Sequence, residues 1–189
     1  HVDYLNNYKS VRSPTKTTLP KHQPSRVITL KLTGSMERYV WTINDTPMYA
    51  ADEIVIKRGE NVKFVLVNET MMNHPIHLHG HFFRVLNKSG EFSPLKHTVD
   101  VPPMGTRTIE FYANERGQWM LHCHNLFHMN TGMARVVKYA SFTPTPEIAH
   151  LQHFDHHLHD PWYFYGNLEA ATNHAQFNAR LSQTWNEID

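Results

Sequence analysis

Only one cysteine, Cys123, occurs in the 189 residues, so no disulfide can form within the chain. No run of about 18 apolar residues is present, so no transmembrane helix is expected. Neither charge sign dominates. Eighteen Lys and Arg stand against 17 Asp and Glu, which argues against nucleic-acid binding driven by net charge. Neither an internal repeat nor a leader peptide is visible. The opening on His1 instead of Met is what a chain processed or excised from a longer one would have. Against these absences stand 40% hydrophobic and 12% aromatic residues, enough to bury a core. The length suits one domain of roughly 100–200 residues. Sixteen histidines are the anomaly. Histidine at that frequency points to metal ligands or proton transfer.

Residues 1–25 are rich in Pro, Lys, Ser and Thr and have little periodicity. They read as a linker or an interdomain arm lying on another domain. From Arg26 the pattern has period 2. Ile28, Leu30 and Leu32 alternate with polar neighbours, as do Tyr39, Trp41 and Ile43. Further strand-like runs cover Glu53–Ile56, Asn61–Val67, Phe82–Leu86, Thr106–Ala113, Gln118–His122 and Met133–Tyr139. Turn signals such as Thr33-Gly34-Ser35 and Arg58-Gly59-Glu60 separate them. Many short strands at this spacing predict an all-β domain over 26–140, a Greek-key β-sandwich or barrel. It should end near Tyr139, because Phe142-Thr143-Pro144-Thr145-Pro146 breaks the pattern. Residues 141–189 read as a His-rich tail, an irregular C-terminal extension. His150, His153, His156, His157 and His159 fall within ten residues. Tyr163–Asp189 then alternates in part, at Ala175, Phe177, Ala179 and Leu181. That stretch fits a hairpin, or a helix through Leu168, Ala171 and Ala175; period alone does not separate them. The alternation would also suit the opening of an outer-membrane barrel. The tail stops at Asp189 without a closing signal, as a truncated chain would.

Two histidine clusters carry the chemistry. The first is His74-Pro75-Ile76-His77-Leu78-His79-Gly80-His81. The second is His122-Cys123-His124, followed by His128 and Met133. Alternate side chains of an extended segment point to opposite sides. His122 and His124 therefore face one way and Cys123 the other, and His77 and His79 share a side. Two facing histidine pairs make a nitrogen-rich metal site. A thiolate, two imidazoles and a weak axial thioether make a blue-copper site. Cys123, His128, Met133 and, from the other segment, His74 supply that set. The peptide from Cys123 to His122 and His124 would join the two sites.

Together these segments, His-Pro-x-His-x-His-Gly and His-Cys-His-x3-His-x4-Met, resemble the paired carboxy-terminal copper motifs of multicopper oxidases. That family includes laccases, ascorbate oxidases and bacterial copper-resistance oxidases. The resemblance covers about Arg26–Tyr139 and implies a cupredoxin-like fold. It implies a type 1 copper on His74, Cys123, His128 and Met133. It also implies a type 2 ligand in His77, and ligands to a type 3 pair in His79, His122 and His124. The implied function is oxidoreductase: a phenolic or aromatic amine donor, or Cu(I), gives electrons to the type 1 site. Cys123 passes them through His122 and His124 to a trinuclear site that reduces dioxygen to water. The family's cluster takes eight histidines from two domains, and this chain offers four. An amino-terminal cupredoxin domain would supply the rest. Lys96-His97-Thr98-Val99 looks closer to the copper-resistance oxidases than to fungal laccases, which carry an acid at the His97 position. The resemblance and the toxicity of copper imply a periplasmic or extracellular location.

Plainer readings stand beside these. Cys123 would serve as a buried structural thiol. His77, His79, His122 and His124 would take zinc or pack in a core. Met133 would be core. His81 reads as a supporting or structural residue, and His97 as a supporting or surface one. Met71, Met72, Met104 and Met129 would form a Cu(I) entry path or be ordinary core and loop methionines. The alternative function is a single-copper electron-transfer or copper-binding module without oxidase activity. Copper sequestration by the tail histidines is a third reading.

Overall fold

The computed structural model describes residues 8–146, 162–182 and 187–188. Two compact units divide the chain, the first ending at Ala149 and the second starting at His150.

In the first unit the predicted alternation becomes strands. These are β1 (Ser25–Ser35), β2 (Val40–Ile43), β3 (Ile54–Ile56), β4 (Asn61–Asn68), β5 (His74–Leu78) and β6 (Phe83–Val85). They are followed by β7 (Leu95–Lys96), β8 (Thr98–Val101), β9 (Thr106–Tyr112), β10 (Gln118–Cys123) and β11 (Ala134–Tyr139). A short helix, α1 (Leu126–Asn130), lies between β10 and β11. The strands form a six-stranded sheet in the order β2-β1-β4-β9-β6-β7 and a five-stranded sheet in the order β3-β11-β10-β5-β8. Non-consecutive neighbours, such as β1 parallel to β4 and β3 parallel to β11, give the Greek-key-like crossing. This is the all-β Greek-key sandwich expected from the pattern, and the cupredoxin-like fold that the resemblance implies.

Strand β4 shows how the pattern builds the sandwich. Val62, Phe64 and Leu66 are fully buried, while Lys63, Val65 and Val67 alternate with them on the other face. They meet Leu30 and Leu32 of β1, Ile109 and Phe111 of β9, and Ile76, Leu78 and Leu121 from the second sheet. Each such side chain contributes about 1.5–3 kcal/mol when removed from water. β8 escaped the sequence reading because its apolar signal is only Val99 and Val101, next to Pro102 and Pro103. Described residues before β1 pack on the sandwich itself. Thr17 is buried, with its hydroxyl donating to the Ser93 carbonyl (2.7 Å), and Asn87 Nδ2 donates to the Val11 carbonyl (2.7 Å).

In the second unit β12 (Tyr163–Ala171) and β13 (His174–Ser182) form an antiparallel hairpin, and β14 (Glu187–Ile188) pairs with the end of β13. Of the two readings open for this stretch, hairpin and helix, the hairpin holds, so this part of the extension is regular. The five clustered tail histidines, His150 to His159, lie outside the described residues. Among the described residues, no helix is long and apolar enough to cross a membrane.

Candidate metal centre

β5 and β10 are antiparallel neighbours near the middle of the five-stranded sheet, with His122 opposite His77 and Cys123 opposite Ile76. Strand alternation then sorts the histidine motifs onto two faces. His74, Ile76 and Cys123 point into the sandwich and are fully buried. His77 and His122 point out of it. One strand pair thus serves two clusters.

The inward cluster is completed by α1. Asn125 caps this helix, its Oδ1 accepting from the Phe127 N–H (3.2 Å). The cap sets the turn that brings His128, fully buried, back over Cys123. Gly132, at φ +126°, then reverses the chain. The reversal lets the Met133 N–H reach the His128 carbonyl (2.9 Å) and the Cys123 N–H reach the Met133 carbonyl (3.0 Å). Cys123 Sγ ends 3.8 Å from His74 Nδ1 and 3.6 Å from His128 Nδ1, and the two nitrogens are 3.1 Å apart. Met133 is fully buried in the same core, with its backbone tied to both ligating candidates.

A polar relay fixes the orientation of His74. Asn68 Nδ2 donates to the Met72, Val101 and Pro102 carbonyls, so its Oδ1 is the acceptor end. The Thr70 hydroxyl donates to that Oδ1 (2.8 Å) and therefore accepts from His74 Nε2–H (2.7 Å). Nδ1 is left with its lone pair aimed at Cys123 and His128. Trp41 closes the pocket, its ring 4.5 Å from the His128 ring and 5.3 Å from that of His74. Sequence reasoning missed Asn68, Thr70 and Trp41 here. Asn68 carried a readable signal: it is the polar residue at the fourth buried position of the β4 alternation.

Burial governs the electrostatics. It pulls the His74 imidazole down to about 3, with His128 adding to the effect, and it lowers His128 as well. It pushes the Cys123 thiol up to about 11. The pocket therefore holds two neutral imidazoles, which is the ligating form, and favours a thiolate only when a cation offsets its charge. With no carboxylate among its three groups, the set fits a soft or borderline metal and not calcium or magnesium.

The outward cluster differs. The nitrogens of His77, His79 and His122 lie within 4.8 Å of one another, and His79 Nε2 is 3.0 Å from His122 Nε2. Carbonyl oxygens set two tautomers. His77 Nδ1–H donates to the His97 carbonyl (2.6 Å) and His122 Nδ1–H to the Cys123 carbonyl (2.9 Å), so both present Nε2. Burial lowers the His77 and His79 imidazoles below their ordinary value. His124 shares the face but stands apart, with ring centroids 5.8 Å from His77 and 6.0 Å from His122. It is exposed and lines an open cleft of about 650 Å³ with Met72, Asn73, His97 and Thr98.

His81 belongs to neither donor set. It is buried, its Nδ1–H donating to the His79 carbonyl (2.9 Å) and its Nε2 accepting from the Tyr139 hydroxyl (2.7 Å). Between them Gly80, at φ +71°, has no room for a side chain: a Cβ there would come within 2.5 Å of the Trp119 ring. His97 is exposed, and its carbonyl makes the hydrogen bond to His77. Met71 and Met104 are exposed, whereas Met72 packs on the core and lines the cleft.

The sequence profile of a family described as multicopper oxidase matches residues 21–142, more than half of the chain. The copper resistance protein A homolog of Pseudomonas syringae pv. tomato is 45% identical over 116 residues, which cover 61% of this chain and 20% of that protein. The multicopper oxidase MmcO of Mycobacterium tuberculosis is 35% identical over 125 residues, covering 66% of this chain and 25% of that protein. Among solved structures, the McoA multicopper oxidase of the hyperthermophile Aquifex aeolicus aligns with TM-score 0.55 at 27% identity, covering 66% of this chain and 31% of its own. The chain thus spans a fifth to a quarter of the length of these curated relatives. The match runs across the whole sandwich and both histidine segments, and the chain belongs to the multicopper oxidase family.

Proposed function

We propose that this chain is the carboxy-terminal copper domain of an oxidase that takes electrons from a reducing substrate and delivers them to dioxygen. When bound, copper supplies the one-electron chemistry, accepting reducing equivalents at a type 1 site and reducing dioxygen to water at a trinuclear site. The observation that carries the reading is the division of the adjacent residues His122 and Cys123 between two donor sets on opposite faces of one strand.

Each side chain has a defined part. Cys123 would hold the type 1 copper with His74 and His128, and Met133 would be the axial ligand. Asn68 and Thr70 keep the His74 lone pair turned to the metal, and Trp41 keeps water out. The covalent path from Cys123 to His122 and His124 is the shortest connection between the clusters. His77 would face the type 2 copper, and His79, His122 and His124 the type 3 pair. These four histidines are half of the family's eight. An amino-terminal cupredoxin domain would bring the others to the exposed edge at His79 and His124. Phenols, aromatic amines and Cu(I) are the donor classes consistent with the family, and a periplasmic or extracellular location fits copper handling.

That half-occupied set favours a second description of the isolated chain, as a single-copper electron-transfer module. Loading the purified chain with copper tests both. A metal count is read beside visible and spin-resonance spectra and oxygen uptake. About one copper per chain with an intense thiolate-to-copper band and no oxygen consumption supports an oxidase domain awaiting its partner. Three or four coppers with oxygen consumption would overturn the incompleteness. Bound copper without the band would remove Cys123 from the site and move weight to sequestration by the tail histidines.

A further inference from the structure

The hairpin of β12 and β13 is two-faced to a degree that the sandwich strands are not. On one face Phe164 pairs with Leu181, Leu168 with Phe177, and Gly166 with Ala179 between them. Neither strand places a charged or hydrogen-bonding side chain on that face. The opposite face carries Asn167, Glu169, Gln176, Asn178 and Arg180. Its large side chains are exposed: Phe164 is 69% exposed, Leu168 68% and Phe177 63%. A water-soluble sheet of three strands needs a second layer over such a face.

Three features say what covers it. Each strand has nine residues. At about 3.4 Å per residue and the roughly 40° tilt of barrel strands, that rises about 23 Å, close to the apolar band of about 25 Å that membrane strands of about 9–11 residues cross. One face is apolar along the whole of both strands and the other is mainly polar, as in membrane β-sheets whose outer face meets lipid. Aromatic side chains collect at one end, where Trp162 and Phe164 are exposed and Tyr165 is exposed on the opposite face. Such girdles sit at the headgroup level. A two-residue turn, Thr172 and Asn173, closes the other end.

We propose that the apolar face of this hairpin lies against the hydrocarbon of a lipid bilayer, as part of a membrane β-sheet. Spanning strands must have every backbone group paired. Among the described residues β12 is paired only by β13, so its other edge is where a further strand of that sheet joins. The proposal is independent of the copper chemistry and would tether the copper domain at a membrane.

The test uses the full chain, reconstituted by detergent dilution with phosphatidylcholine vesicles and floated on a density gradient. The chain is expected to float with the vesicles. Leu168→Arg combined with Phe177→Arg places two charges on the lipid face and should lower the bound fraction at least about tenfold. Asn167→Arg combined with Asn178→Arg alters the polar face of the same strands and should leave the bound fraction within about twofold. Far-UV circular dichroism of both variants separates loss of binding from loss of the hairpin. A chain that stays at the bottom of the gradient overturns the proposal, as does one whose two variants float equally. A vesicle-free dimer in sedimentation that Leu168→Arg dissolves would also overturn it, since a second copy would then cover the face.

Discussion

The two candidate metal clusters share a strand and a motif, yet they are built in opposite ways. At the inward cluster His74, Cys123 and His128 are all fully buried, and every supporting group comes from the same sandwich: Asn68, Thr70, Trp41 and the capped turn at Asn125. At the outward cluster only His122 is buried, His77 is half-buried, and His79 and His124 are exposed. The inward tautomer is set by a chain of side chains, whereas the outward ones are set by backbone carbonyls of His97 and Cys123. A site that a domain completes alone can be sealed. A site that a second domain completes must keep its donor atoms at the surface with their orientation already fixed. On the proposed function, the exposure of the outward histidines is what half of a shared site requires.

The sharpest break of this comparison is Cys123→Ser. Serine keeps the volume but not the soft thiolate. The expected outcome is complete loss of the thiolate-to-copper band, with copper affinity at the inward site reduced by at least about a hundredfold. Copper or zinc titrated onto the outward histidines should bind as before. A parallel loss at both sites, followed by spin resonance, would mean that the two clusters are not built independently.

A smaller effect separates support from ligation. Thr70→Val removes the hydroxyl that accepts from His74 Nε2–H and donates to Asn68 Oδ1. The band should persist, because all three donors remain, but copper affinity should fall about tenfold, at the low end of the cost of losing an orienting partner. Stability should drop by about 1–3 kcal/mol, because two buried polar groups lose a partner. Thr70→Ser should restore both. Denaturant unfolding and copper titration on the three proteins check it.

Much of this was legible in the sequence, and the limits have physical causes. Period-2 alternation located the sandwich strands because one face of each is dry and the other wet. It passed over β8, where two apolar residues are too short a signal. His77, His79, His122, Cys123 and His124 could be sorted because strand alternation is local, whereas His74, His128 and Met133 were read from the donor set of a blue-copper site and from the motif resemblance. The supporting residues could not be read. Thr70 reaches His74 across four residues of irregular chain, and Trp41 reaches His128 from 87 positions away. Such contacts exist only once the sheets have packed. In the tail, periodicity over Tyr163–Asp189 left hairpin and helix equal, because alanines at several positions satisfy either period. The pairing of Ala171 with His174 across a two-residue turn decides it.

The smallest expected effect concerns His97, whose ring Nδ1 is 3.5 Å from His77 Nδ1 and whose carbonyl accepts the hydrogen bond from His77 Nδ1–H (2.6 Å). These two contacts come from the same residue but differ in kind. The carbonyl bond is short, involves a group that can only accept, and survives any substitution that leaves the backbone in place. The ring contact is long, and the ring is exposed. If outward orientation rests on backbone, His97→Ala should change metal affinity at the outward histidines by less than about twofold, well short of the roughly 10–100-fold cost of removing an orienting group. The inward band should be untouched. Competitive metal titration against a chromophoric chelator resolves a change of that size. A loss above tenfold would show that the imidazole of His97 itself holds His77 or the metal, and the outward site would then depend on a side chain as the inward one does.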